Sequence, residues 1–171
     1  MVDLSSPRGF ELPVEAHVER HDPDAMNPVN VTEYGRLFPG ASLSEAAAQR
    51  FARDWVAAWN RRDAEAVLAH YADDAVFHSP KAERILGNGR VEGKESLRAY
   101  WKAAQSRIQT LEFVLEAAHY SPRSDTLTVV YQAAFDGQAP TRATEVMQFS
   151  GGRIVRGEAF YGATGGVPEP R

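Results

Sequence analysis

The spacing of apolar residues changes along this chain from a helical period to an alternating one, and the change divides it into two parts. Between residues 42 and 60, apolar side chains recur every three or four positions, which predicts an amphipathic helix. Ser42 and Glu45 have the spacing of a capping box at its start, and we expect the helix to run to about Asn60. The predicted inward face of this helix comprises Ala48, Phe51, Ala52, Trp55 and Trp59.

A second, short helix and the first strand follow. Asp63 is placed to cap this helix, which carries Tyr71 inward near its end. An acidic pair then turns the chain into a short predicted strand, from Ala75 to Ser79. Residues 80–93 are rich in glycine and charge and are predicted to form a loop.

The remaining segments are a third helix and a series of strands. Apolar residues at helical intervals predict the helix at about residues 94–108. Alternating apolar and polar residues, separated by polar or glycine-containing turns, predict strands at residues 111–120, 126–135, 142–149 and 153–161. Helices followed by an antiparallel meander predict an α+β domain whose curved sheet buries one face against the helices.

The first 40 residues differ in composition from the rest. They hold five of the ten prolines, and seven acidic residues against three basic ones. Proline at this density breaks helices and interior strands. We therefore predict an irregular, acidic N-terminal arm over residues 1–40, one domain over residues 41–162 and a C-terminal tail over residues 163–171.

Composition narrows the classes of function. The net charge of −4 provides no basic field to attract nucleic acid or an anionic membrane. The absence of cysteine excludes disulfides, thiolate metal sites and cysteine nucleophiles. The N-terminus lacks the basic start and apolar core of a signal peptide, and no apolar run approaches membrane-spanning length. We expect a cytoplasmic protein with neither nucleic-acid nor membrane partners.

A set of short motifs follows one another in a specific order and spacing. They are Gln49-Arg50-Phe51, Trp59-Asn60-Arg61-Arg62-Asp63, Tyr71-Ala72-Asp73-Asp74-Ala75, Gly93, and the segment from Leu97 to Trp101. Together they resemble the nuclear-transport-factor-2-like superfamily, and within it the SnoaL-like and ketosteroid-isomerase-like group, over about residues 44–162. The resemblance implies a cone-shaped α+β half-barrel, with three N-terminal helices packed in a curved, mainly antiparallel sheet and a pocket at its open end. It also implies a homodimer, which we expect to form through the outer face of the sheet.

Compared residue by residue, the chain departs from the ketosteroid isomerases. Their general base is an Asp immediately before a Pro on the first strand, and Ser79 occupies that position here. Their oxyanion-binding Tyr corresponds to Trp55, and their second oxyanion donor, a protonated Asp, corresponds to Glu145. Because a serine without a paired base cannot replace an Asp as proton acceptor at neutral pH, we do not expect a ketosteroid isomerase of the known mechanism.

Glu145 is the main candidate for acid–base chemistry. The two-residue period of a strand places it on one face with Ala143, Met147 and Phe149, so this face is expected to point inward. Desolvation there would raise the pKa of the carboxyl group and suit it as a general acid or base. The alternative is a structural Glu tied to a Tyr, Trp or Arg.

His78 and Ser79 are the other candidate catalytic residues. Neighbours on a strand lie on opposite faces, so both reach the pocket only if the strand bulges. If Ser79 points inward, so does Phe77, and His78 points away. The opposite arrangement gives a pocket histidine, which is a good acid–base group near neutral pH. The same parity opposes a Ser79–His78–Glu145 triad.

Aromatic and apolar residues of the inward faces are expected to line a pocket with few polar groups. The candidate substrate-binding residues are Trp55, Trp59, Tyr71, Phe77, Trp101, Val129, Tyr131, Met147 and Tyr161. With no cysteine and scattered histidines, neither a metal site nor a cofactor is expected.

The leading functional hypothesis is a cofactor-independent general acid–base enzyme: an isomerase, dehydratase, cyclase or hydrolase. Its substrate would be a small, largely apolar compound that is cyclic or carries a carbonyl group. Glu145 would carry the proton, and Ser79, Tyr131 or Tyr71 would orient the ligand through hydrogen bonds. The alternative is a non-catalytic domain for small-ligand binding or dimerisation.

Overall fold

The computed structural model describes residues 40–162; the predicted tail, and the predicted arm apart from Gly40, lie outside the described residues. Within this range the helices are α1 (Glu45–Asn60), α2 (Ala64–Leu68), α3 (Pro80–Leu86) and α4 (Lys94–Gln105). The strands are β1 (Tyr71–His78), β2 (Arg90–Glu92), β3 (Leu111–Ser121), β4 (Thr126–Phe135), β5 (Thr141–Ser150) and β6 (Arg153–Tyr161). No helix between residues 40 and 162 is long and apolar enough to cross a membrane.

All six strands form one open sheet in the order β2-β1-β6-β5-β4-β3. The β1 and β6 strands pair in parallel, and every other neighbouring pair is antiparallel. The short β2 and the long β3 form the two edges. Helices followed by a mainly antiparallel, unclosed sheet confirm the predicted α+β half-barrel.

The first helix, α1, lies across β3 and is fixed at both ends. Ser44 caps it by accepting a backbone hydrogen bond, whereas Ser42, the predicted start of a capping box, bonds instead to Asp125. At the other end, the Asn60 side chain donates to the Phe113 carbonyl at 2.9 Å and accepts from the Phe113 N–H at 2.7 Å. These bonds fix the orientation of the helix against the sheet.

The predicted loop at residues 80–93 is wrong for most of its length, because it contains α3 and β2. Ser79 caps α3 by accepting from the Lys81 N–H at 3.2 Å, and Pro80 opens the first turn. Gly87, with φ of +76°, ends the helix in the left-handed conformation. Ser79-Pro80 at the start and Gly87 at the end are typical of a helix, but the glycine and charge content of the segment favoured the prediction of a loop.

The first strand begins earlier than predicted, at Tyr71 rather than Ala75. Tyr71 therefore belongs to the sheet and not to α2, whose cap is Asp63 as predicted. The pairing of β1 with β6 is interrupted after Tyr71, and Asp73 and Asp74 are exposed within this irregular part. The acidic pair is thus part of the strand and not the turn before it.

Aromatic rings dominate the core between α1, α4 and the inner face of the sheet. The Trp55 ring stacks on Phe113 with 6.1 Å between centroids and meets Tyr131 edge-on at 5.3 Å. Trp59 meets Trp101 of α4 edge-on at 5.1 Å. This cluster joins both helices to β3 and β4, and a cavity opens beside it.

Candidate functional site

A cavity of about 370 Å³ lies between the aromatic cluster, α3, α4 and the inner face of the sheet. Its volume is near the lower end of the range for small-molecule sites. The predicted catalytic residues Glu145 and Ser79 both line it. The predicted binding residues that line it are Trp55, Trp59, Phe77, Trp101, Tyr131 and Tyr161.

Other residues predicted for the pocket lie elsewhere. Tyr71, Val129 and Met147 are fully buried but do not line the cavity, so they pack behind its wall. His78 does not line it either, and its Nδ1 atom is buried with no hydrogen-bond partner among the described residues. The structure therefore brings Ser79, and not His78, to the cavity that contains Glu145.

Glu145 lies in the middle of β5, between Val129 of β4 and Ala159 of β6. Its side chain is on the inner face as predicted, and the residue is only 4% exposed. Its carboxyl group forms no hydrogen bond or ion pair with any residue between 40 and 162. Burial raises the pKa of Glu145 to about 8, against the opposing effect of the Lys81 charge. At pH 7 the group is therefore mostly a neutral acid.

Lys81 is a lining residue that the sequence interpretation missed. Its ammonium group lies 3.4 Å from the centroid of the Phe135 ring and 4.2 Å from that of Tyr161. Burial, and then the charge of Arg84, lowers the pKa of Lys81 to about 8, while Glu145 acts in the opposite sense. Lys81 falls in the segment predicted as a loop, and the helix signals around α3 are what could have placed it.

Lys81 and Glu145 line the same cavity but do not form an ion pair. No ion pair of Lys81 with a described residue is present within 4.0 Å. Burial raises the pKa of Glu145 and lowers that of Lys81, so it favours the neutral form of each group. The cavity thus contains one acid and one amine that both titrate near neutral pH.

Tyrosine hydroxyls complete the polar surface of the cavity. The side chains of Tyr131 and Tyr161 interact in the cavity wall, and burial, followed by the Glu145 charge, raises the pKa of both. The Tyr100 hydroxyl is hydrogen-bonded to the Ser79 hydroxyl, with 3.2 Å between the two oxygens, and burial raises the pKa of Tyr100 as well. These phenols remain protonated at neutral pH, so they can orient a ligand oxygen but cannot act as bases.

Ser79 is engaged in the structure of α3. Its Oγ atom accepts the Lys81 N–H and bonds to Tyr100, so it serves first as a helix cap. A Ser79–His78–Glu145 triad is not assembled, because His78 does not line the cavity. No group of three His, Asp or Glu side chains within residues 40–162 could hold a metal ion.

Comparison with known families decides the relationship. The model of the SnoaL-like domain family matches residues 52–157. The chain belongs to the SnoaL-like family. The predicted resemblance to this group of the nuclear-transport-factor-2-like superfamily is thereby confirmed. No functionally curated protein matches this SnoaL-like chain.

Solved structures support the same assignment. A SnoaL-like protein of unknown function from Burkholderia thailandensis E264 is 36% identical, with a TM-score of 0.63 over 70% of this chain and 98% of the other. An NTF2-like protein of unknown function from Burkholderia pseudomallei K96243 is 20% identical, with a TM-score of 0.57 over 67% and 90% of the two chains. A proposed polyketide cyclase from Sinorhizobium meliloti is also 20% identical, with a TM-score of 0.52 over 62% and 89%. The last two share the SnoaL-like fold alone.

Proposed function

We propose that this SnoaL-like protein is a cofactor-independent enzyme that transfers protons to or from a small, largely apolar compound with a carbonyl group. The observation that carries the proposal is the Glu145 carboxyl group, buried in the cavity wall with no hydrogen bond or ion pair to any described residue. A buried carboxyl group without a partner is costly to keep. Such groups are concentrated at functional sites, where a ligand supplies the missing interaction.

The protonation state of Glu145 defines its chemical role. With a pKa of about 8, it is mostly protonated at pH 7 and can donate a proton or a strong hydrogen bond to a ligand oxygen. Once the proton has left, the carboxylate can take one back from carbon or oxygen. This alternation is what isomerisation, dehydration, cyclisation and hydrolysis have in common.

The rest of the cavity matches this chemistry. The tryptophan rings offer flat apolar surfaces for the body of a cyclic compound, and the hydroxyl pair of Tyr131 and Tyr161 offers a donor for its oxygen. The Lys81 ammonium group can stabilise negative charge that develops during the reaction. The Sinorhizobium protein shares only the fold, so it does not select one of the four reaction types.

Hydrogen–deuterium exchange next to a carbonyl tests proton transfer without knowledge of the natural substrate. Small cyclic ketones, such as 1-indanone and cyclohexanone, are incubated in D₂O with the protein and followed by proton NMR. We expect the wild type to accelerate exchange of at least one ketone, and Glu145→Gln to lose that acceleration by a factor of about 100 or more. The control Glu112→Gln, exposed on β3 and away from the cavity, should keep the wild-type rate.

Equal exchange rates for the wild type and Glu145→Gln would contradict the proposal. Binding of the ketones without any exchange would favour the alternative, a non-catalytic ligand-binding domain. Both outcomes are decided by the same samples, because ligand binding is visible in the NMR spectra through line broadening.

A second candidate role, dimerisation, is favoured by the outer face of the sheet. Val114 of β3 is 53% exposed and Phe160 of β6 is 48% exposed, although both are large and apolar. We expect light scattering to give twice the chain mass of 18.9 kDa, and Phe160→Lys to shift the protein toward the monomer. A monomeric wild type would remove this role.

A further inference from the structure

We infer that the ligand of the cavity is an acid: a small apolar body that carries one carboxylate-type group, bound through the Lys81 ammonium group. The inference rests on the proposed function only in placing the ligand in the same cavity. It names the substrate class, which the buried Glu145 by itself does not define.

The first argument is the unpaired charge of Lys81. Its ammonium group is held against the rings of Phe135 and Tyr161, and it has no carboxylate partner within 4.0 Å among the described residues. Partly buried cations are normally paired, because ring faces replace only part of the hydration that the charge has lost. An anionic ligand oxygen beside Lys81 would restore a charge-assisted hydrogen bond.

The second argument is that the other polar groups of the cavity wall can donate hydrogen bonds. Tyr100, Tyr131 and Tyr161 line the cavity, and burial raises the pKa of each, so their phenol groups stay protonated at neutral pH. Protonated Glu145 adds one more donor. A carboxylate offers only acceptors, so it can accept a hydrogen bond from each of these groups.

The third argument is the charge at the rim of the cavity. Arg84 and Arg107 also line it, both are exposed, and neither forms an ion pair with a described residue. The acidic lining residues are Asp136 and Glu145. Asp136 accepts two backbone N–H bonds, at 2.6 and 2.9 Å, and Glu145 is mostly neutral. The rim is therefore positive and attracts an anion.

These features also limit the other choices. A cationic ligand would face Lys81 and two arginines, and a neutral ligand would leave Lys81 unpaired. Among the described lining residues, Lys81 is the one cation that is not exposed, so a ligand with several phosphates would find too few cations inside the cavity. One carboxylate-type group on an apolar body is the chemistry that satisfies all three observations.

Matched pairs of acids and amides test the inference. Isothermal titration calorimetry at pH 7 compares 2-naphthoate with 2-naphthamide, and cyclohexanecarboxylate with cyclohexanecarboxamide. We expect the wild type to bind the acid of at least one pair about tenfold or more tightly than its amide. In Lys81→Met the ratio should fall to within about twofold, through weaker binding of the acid and unchanged binding of the amide.

Control variants separate charge from folding. Lys102→Met, on α4 and outside the cavity lining, should keep the wild-type ratio. Lys81→Arg keeps the positive charge and should recover part of the preference for the acid. Circular dichroism shows whether each variant is folded, and amide binding shows whether its cavity is intact.

Equal affinity of the wild type for acid and amide, failure of every acid to bind, or an acid preference that survives Lys81→Met would each overturn the inference. Ketone exchange that depends on Glu145 would stand in all of these cases, so the proposed function would survive. A preference for the acid without hydrogen–deuterium exchange of any ketone would support an acid-binding site and contradict the proposed enzymatic function.

Discussion

Two carboxyl groups of this SnoaL-like protein have opposite surroundings. Asp125, in the turn between β3 and β4, accepts from the Ser42 N–H at 3.0 Å, the Ser42 hydroxyl at 2.6 Å and the Tyr120 hydroxyl at 2.5 Å. The Ser42 hydroxyl in turn accepts from the Gly152 N–H at 3.0 Å. The Glu145 carboxyl group forms no hydrogen bond with any described residue.

The difference separates a structural carboxylate from the one that we propose to be functional. The bonds of Asp125 join the chain before α1 to the two turns at one end of the sheet, so folding alone explains the residue. Folding does not explain Glu145, because its burial costs free energy and no hydrogen bond from a described residue compensates for that cost. The same kind of group therefore stabilises the fold where it has partners and is available for a ligand where it has none.

The largest expected difference between the two sites is in turnover. We expect Glu145→Gln to lower Glu145-dependent ketone exchange by about 10² to 10⁴, the usual range for removal of a general acid or base. Asp125→Asn should change the rate by less than about threefold, because the turn is not part of the cavity. Proton NMR in D₂O measures both. A large loss in Asp125→Asn with the fold intact would remove the distinction.

The next largest effect is on stability, in the reverse order. Asp125→Asn should lower the free energy of unfolding by about 2–3 kcal/mol, because it weakens charge-assisted hydrogen bonds. Asparagine tolerates the positive φ of +49° at this position, so the backbone is not strained by the change. Urea titration at pH 7 measures the loss. A loss of less than about 0.5 kcal/mol would show that the network is not structural.

The pH dependence of stability sharpens the account of Glu145. Because its pKa is raised to about 8, the folded protein holds the proton more tightly than the unfolded chain. The stabilising contribution is complete at low pH and is lost as pH rises through about 8. Between pH 6 and pH 7.5 we expect the wild type to lose about 2 kcal/mol relative to Glu145→Gln.

Urea titrations of both proteins across this pH range give that difference. Burial lowers the pKa of Lys81 to about 8, so its contribution to the free energy of unfolding increases only above that pH. Lys81 is present in both proteins. The buried phenols of Tyr71, Tyr131 and Tyr161 keep their protons throughout. Parallel pH curves would mean that Glu145 is not desolvated.

The smallest expected effect concerns the close packing of the core beside the cavity. A Cβ atom on Gly157 of β6 would lie 2.7 Å from the Phe77 ring and 3.0 Å from the Tyr71 hydroxyl. Gly157→Ala should therefore cost about 1–2 kcal/mol through overpacking, measured by urea titration. The matched change Gly151→Ala, in the open turn before β6, is expected to act through its positive φ of +56° and not through a clash. An unchanged stability of Gly157→Ala would show that the ring of Phe77 moves freely.

The chain's own pattern determined most of the architecture. Helical spacing located α1 and its end at Asn60, and alternation located β3 to β6 to within one or two residues. The same alternation placed Glu145 on the inner face of its strand. These features depend on the period of apolar residues, which is a local property of a sequence.

The prediction for residues 80–93 was wrong because their composition favours a loop while individual residues favour a helix. Glycine and charge at residues 80–93 suggested a loop, although Ser79-Pro80 and Gly87 mark the ends of a helix. Because Lys81 lies in this helix, the error also left Lys81 out of the predicted cavity lining.

Tertiary structure alone decided which inward residues meet the cavity. Periodicity assigns a residue to a face, but whether that face meets a void depends on how far the helices stand from the sheet. Long-range contacts such as Trp55 with Phe113 set that distance, so Met147 is packed while Glu145, two residues away on the same face, meets open space. Whether a buried ionisable group finds a partner likewise depends on its three-dimensional neighbours, and the proposed ligand site rests on the absence of such partners at Glu145 and Lys81 among the described residues.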